Sequence, residues 1–166
     1  LTPSLGHFRL VAIGRAFHWM DRDATLRALD SMIEADGAIA LFGDRHPEVP
    51  ENGWLASFRA VVERYADGDS ERQRRRGPNW RSHETVLMAS TFKRLERVSV
   101  IERRVLPVAQ FVDRALSTSS TSRRRLGDKA DELGKEVLTL MNGIARDGLV
   151  AEVVESSALI ARRSVD

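Results

Sequence analysis

The side chains able to do chemistry stand in three small groups. His18 and Trp19 are adjacent in AFHWMD (16–21), His46 lies in RHPEVPENG (45–53), and His83 with Glu84 opens SHETVLMAST (82–91). An imidazole can accept or relay a proton from a nucleophile, and a neighbouring indole can wall off water. His46, His83 and Glu84 are too scattered to make a recognisable metal site, so no metal is expected. Ser, His and acidic residues are all present, but no spacing among them points to a Ser-His-Asp arrangement.

Two basic clusters compete for attention. ERQRRRGPNWR (71–81) sets arginines beside Trp80, the pairing that grips a phosphate and stacks on a base. Asp67, Asp69, Glu71 and Glu84 dilute that charge, and Arg123 to Arg125 read as a surface turn. The formal net charge is only +2 over 166 residues, so no nucleic-acid partner is expected. The absence of cysteine excludes a disulfide scaffold and a thiolate nucleophile and fits a cytoplasmic protein. No segment approaches the apolar length of a membrane span, so no membrane partner is expected either.

The elements that must position these groups follow from periodicity. FRLVAI (8–13), between Gly6 and Gly14, has the composition of a buried parallel strand. Asp21 or Asp23 can cap a helix whose apolar face is Leu26, Leu29, Met32 and Ile33; Gly37 ends it, and AIALFGD (38–44) is the next strand. Strand, helix and strand joined by short loops make a crossover unit.

A loop through Asn52 leads to a helix carrying Phe58, Val61, Val62 and Tyr65, stopped by Gly68. Ser82 caps a short helix toward Phe92. Residues 94–106 are rich in β-branched types and form a strand partly covered on both faces. A helix starts at Pro107, another carries Leu133, Val137, Leu138, Met141 and Ile144, and VAEVVESSALIARR is the final strand. The class is α/β, as one domain over 1–166.

FRLVAIGRAFHWMD closely resembles the end of the fourth strand of class I S-adenosylmethionine-dependent methyltransferases, in the small-molecule branch. ATLRALDSMIEADGAIALF is similar to that family's helix and fifth strand, HETVLMASTFKRLERVSVIERR to its late helix and sixth strand, and the closing strand, with Arg162 and Arg163 at its end, to its last. The chain departs from the family pattern at Arg9, Arg15 and Asp36. The resemblance implies a partial Rossmann-like sheet, fourth to seventh strands, with flanking helices and the last two strands antiparallel. Residues 45–81 would be an insertion over the active-site side.

The resemblance also implies roles. Gly14, Arg15 and Ala16 would face the methionyl part of S-adenosylmethionine, His18 would be the catalytic imidazole beside the transferred methyl, and Trp19 and His83 would line a small-molecule acceptor pocket. The family's Gly-rich turn and its ribose-binding acidic residue have no counterpart in this sequence. The chain therefore looks like the C-terminal part of such an enzyme, and these 166 residues alone are expected to be inactive. Leu1 in place of methionine suits a fragment, a processed product or a non-standard start. The alternative is a non-enzymatic or degenerate α/β interaction module. In either case the edge of residues 8–13 lacks a neighbour, and a homodimer or partner chain covering it is expected.

Overall fold

FRLVAIG meets the geometry of a strand and forms β1, Phe8–Gly14, in a computed structural model that describes residues 6–66 and 77–164. Gly68, Leu1 and residues 71–76 of the basic run lie outside the described residues. The chain continues through α1 (Arg22–Asp30), β2 (Ile33–Arg45), α2 (Leu55–Tyr65), α3 (His83–Met88), β3 (Arg94–Pro107), α4 (Val108–Leu116), α5 (Arg123–Leu126), α6 (Lys129–Asn142) and β4 (Leu149–Arg162). It divides into two units: residues 1–45, 79–101 and 155–166 form the first, 46–78 and 102–154 the second.

The first unit is built on a mixed sheet in the order β1-β2-β4-β3. β1 and β2 run parallel, from Leu10↔Ala38 to Gly14↔Phe42, because α1 carries the chain back between them. β4 is antiparallel to β2, from Ala38↔Arg162 to Arg45↔Glu155. Glu96 binds Arg162 and Arg97 binds Ser157, so positions rise along β3 as they fall along β4, as the antiparallel expectation requires.

α1 starts where Asp21 accepts the Ala24 N–H at 3.0 Å, which satisfies one of the helix's unpaired donors. Leu26, Leu29, Ile33, Ile39, Leu41, Val86, Leu87 and Phe92 pack beneath α1 and α3 against Leu159 and Ala161. Gly37 does not end the helix as the sequence suggests. The helix stops at Asp30, and Gly37 sits inside β2, where a Cβ would lie 2.6 Å from Ile33 Cγ2 and 3.0 Å from the Arg9 carbonyl oxygen. The glycine is there for close approach at the irregularity where the pairing jumps from Phe8↔Ile33 to Leu10↔Ala38.

The other face of this sheet is apolar and carries no helix among the described residues. Its rows run Leu10 and Ala38, then Ala12, Ala40 and Ile160, then Gly14, Phe42 and Ala158. Leu10 is 57%, Phe42 49%, Val98 59% and Val100 58% exposed. β3 is thus an exposed outer strand rather than one covered on both faces, since no second layer covers the face bearing Val98 and Val100 among the described residues.

The second unit packs α2, α4 and α6 around Phe111, Leu133, Val137 and Met141, all fully buried. Trp54 meets Phe58 and Phe111 edge-on at 5.7 and 4.9 Å. Trp54 Nε1 donates to the Ala151 carbonyl at 3.1 Å. Asn52 takes both backbone groups of Val153, donating to its carbonyl at 2.8 Å and accepting its N–H at 2.9 Å, as a neighbouring strand would. Beside it Glu152, 1% exposed, receives two hydrogen bonds from Arg114 at 2.7 and 3.0 Å and lies 3.2 Å from His46 Nε2.

Candidate functional site

β1 ends by placing Gly14 and then Arg15 at the carboxyl end of a parallel strand, where open α/β sheets form clefts. Arg15 has φ 50°, a left-handed conformation that costs a branched-chain-free L residue about 1 kcal/mol or more. Its N–H donates to the Phe42 carbonyl at 3.2 Å and its guanidinium reaches Asp44 at 3.1 Å, so the turn is tied to the end of β2 on two sides.

The chain then winds through a short 3₁₀ turn, Phe17–Trp19. Phe17 is 2% exposed and anchors the turn in the core, which leaves the next two side chains at the surface. The His18 and Trp19 rings lie 4.9 Å apart. Across from them Ser82 caps α3 through the Thr85 N–H, and this cap fixes His83 at the first helical position. The His83 ring stands edge-on to Phe17 at 5.2 Å and to Trp80 at 6.4 Å. Trp80 itself is covered by the Arg22 guanidinium, 4.0 Å from its ring.

His18, His83 and Arg15 line one cleft of about 230 Å³, together with Asp44, Glu84 and Arg97. Its charges are matched: Arg15 pairs with Asp44, and Arg97 pairs with Glu84. His83 Nδ1 is buried and has no hydrogen-bond partner among the described residues. Burial pushes the His83 pKa down from its ordinary value, and the positive charge of Arg22 adds to this against the opposing pull of Glu84. A neutral imidazole lining a charge-balanced cleft is able to accept a proton given up by a small polar molecule.

Of the residues singled out from sequence, this cleft unites Arg15, His18 and His83. Gly14 lines a larger, mainly apolar cavity of about 570 Å³ that runs along Phe42, Val98 and Val100 and shares Arg15 with the first. Ala16 packs against the core, and Trp19, 50% exposed, stands beside His18 without lining either cavity. Asp44, Arg97 and Ser157 were not visible as site residues in the sequence. Only Asp44 gave a signal, as the acidic end of AIALFGD; Arg97 and Ser157 come from strands that the topology brings together across a separation of 60 positions. His46 belongs to the second unit with Glu152 and Arg114. Among the described residues no three His, Asp or Glu side chains converge as metal ligands. No described helix is long and apolar enough to cross a membrane.

No protein-family model and no curated protein matches the sequence. Solved structures similar to the chain include a candidate methyltransferase of Bacillus halodurans C-125, 17% identical over 96% of this chain with a TM-score of 0.46. A candidate type II methyltransferase of Anaeromyxobacter dehalogenans is 17% identical over 95% of the chain, TM-score 0.45. The YcgJ protein of Bacillus subtilis is 14% identical over 96%, TM-score 0.44. The chain spans 65% of the length of each of these three.

Proposed function

We propose that the chain forms the acceptor-side wall of a class I S-adenosylmethionine-dependent methyltransferase acting on a small molecule. The supporting observation is the cleft at the carboxyl ends of β1 and β2, which His18 and His83 line together beside the turn that the sequence resemblance singles out. In this reading His83 accepts a proton from a hydroxyl or amine of the acceptor, and His18 relays it outward. Trp19 screens the rim from water, and the paired charges favour an acceptor without net charge.

Gly14 has open space where a Cβ would be and suits one side of the methyl donor. The remaining described residues do not fit the donor as a whole. None supplies a Gly-rich turn, and the nearby Asp44 carboxylate is engaged by Arg15 instead of being open to a ribose diol. The proposal therefore assigns this chain acceptor binding and proton handling, and the isolated chain is expected to show no methyl transfer.

The test is a titration of the chain with neutral phenols, alcohols and amines, following the His18 and His83 ring resonances by NMR, with a parallel assay for label transfer from S-adenosylmethionine. Shifts of both rings with some acceptor, lost in His83→Phe, support the reading. A panel that moves neither ring overturns the acceptor wall, and turnover by the chain alone overturns the division of labour.

A second expected result concerns pH. Because the folded pKa of His83 lies below its unfolded value near 6.5, the unfolded state binds a proton first as pH falls. Stability is therefore unaffected above that value and declines as pH drops below it, until the folded pKa is reached. His83→Gln is expected to flatten this decline in urea unfolding measured between neutral pH and pH 5, and an unchanged slope would exclude His83 as its source.

A further inference from the structure

We infer that the cleft takes a neutral single-ring acceptor with a second oxygen, lying over Gly43 and oriented by the Ser157 hydroxyl. The inference rests on the proposed acceptor wall and names what that wall selects. Gly43 and Ser157 stand opposite one another in the β2–β4 ladder, and both line the cleft of about 230 Å³. Two positions away on the same strands, and so on the same face, the paired Leu41 and Leu159 are buried in the core. The cleft thus has an apolar back and a floor made of one hydroxyl and one missing side chain. Its volume falls below the roughly 300–1,000 Å³ of drug-sized sites, which fits one ring and its substituents.

Nothing in the fold asks for glycine at position 43. Its φ is not left-handed, and a Cβ there would meet no atom of the described residues within 4 Å. Gly37, on the same strand, is the opposite case, since a Cβ there would collide with Ile33 and the Arg9 carbonyl. A glycine inside a strand forgoes packing and weakens the ladder, so one with room to spare marks close approach by a ligand. Arg15 and Arg97 also line the cleft, but they are taken up by Asp44 and Glu84. Arg97 Nη1 further donates to Ser157 Oγ at 3.4 Å, and a hydroxyl oxygen that accepts there keeps its own proton to give. The acceptor therefore carries an oxygen to receive that proton, besides the hydroxyl or amine whose proton goes to the imidazole.

The probes are the hydroxyacetophenone isomers and the matching ethylphenols, which keep the shape and lose the carbonyl. Titration calorimetry on the chain is expected to show a hydroxyacetophenone bound more tightly than its ethylphenol. Ser157→Ala should erase that preference, a loss of about threefold to tenfold, and leave ethylphenol binding unchanged. Gly43→Val should weaken both ligands by about tenfold or more, and Gly43→Ala by less, because the new side chain fills the cleft and not the core. Both variants should keep the parent's circular dichroism spectrum and an unfolding midpoint no lower than the parent's. Binding that Gly43→Val leaves intact, a carbonyl preference that survives Ser157→Ala, or no binding of any hydroxyacetophenone would each overturn the inference. The proposed proton handling fails separately: it falls if the ketone binds, and Gly43→Val abolishes that binding, without movement of the His18 or His83 ring resonances.

Discussion

Arg114→Ala is expected to cost about 3–5 kcal/mol of stability at neutral pH, read from urea unfolding, because it strands a charge in the second unit's interior. Glu152 is 1% exposed, and two of its contacts are the paired hydrogen bonds from Arg114. Burial alone would raise its pKa; the hydrogen bonds and charge of Arg114, with His46, more than offset this and hold it below the ordinary carboxylate value. The stability it contributes is thus present above the unfolded pKa and lost as pH falls through the folded one. In the variant burial remains and the main opposing cation is gone, so the carboxyl protonates more readily folded than unfolded. Stability of the variant should then fall as pH rises, and the gap to the parent should narrow toward pH 4.5. A gap that is constant with pH would mean that lost packing of Arg114 over Phe111, not the stranded charge, dominates.

Arg163→Ala is the second large effect, expected at about 3 kcal/mol. The guanidinium closes the corner between α1 and β2: it donates to the Asp30 carboxylate at 2.9 and 3.1 Å, to the Asp30 carbonyl at 2.6 Å, to the Glu34 carbonyl at 2.8 Å and to the Ile33 carbonyl at 3.2 Å. It also lies 4.8 Å over the Phe92 ring. These carbonyls belong to the end of a helix and the tight passage into a strand, where the backbone has few other donors. Only a planar fork reaches all of them, so Arg163→Lys should recover a minor part of the loss. Full recovery by lysine would show that charge near the helix end suffices.

The alternation of strand and helix was legible because each element has its own period: Leu26 and Leu29 on α1, Phe58, Val61 and Val62 on α2, and Leu133, Val137 and Met141 on α6 are buried as that period demands, although Leu138 and Ile144, read on the same stripe, are exposed. Gly37 was misread because a glycine after an apolar stripe looks the same whether it ends a helix or lets two strands approach; only the Arg9 carbonyl, far back in sequence, decides between them. The exposure of β3 was illegible for a related reason. β-branched residues report that a strand forms and say nothing of whether a second layer covers it.

The site divides in the same way. Arg15, His18 and His83 could be chosen because the resemblance to a methyltransferase strand end and late helix pointed to them, whereas Arg97 enters the cleft through the strand order. The structural weight of Glu152 was hidden altogether: a glutamate in a strand of alternating residues gives no sign that Arg114, 38 positions earlier, and His46, 106 positions earlier, will close around it.

Asn52 carries a consequence for growth of the fold. Its carboxamide saturates both backbone groups of Val153, so no extended segment can add to β4 at that point. One amide side chain there does what a row of charges does along β3, stopping the ladder without adding a strand.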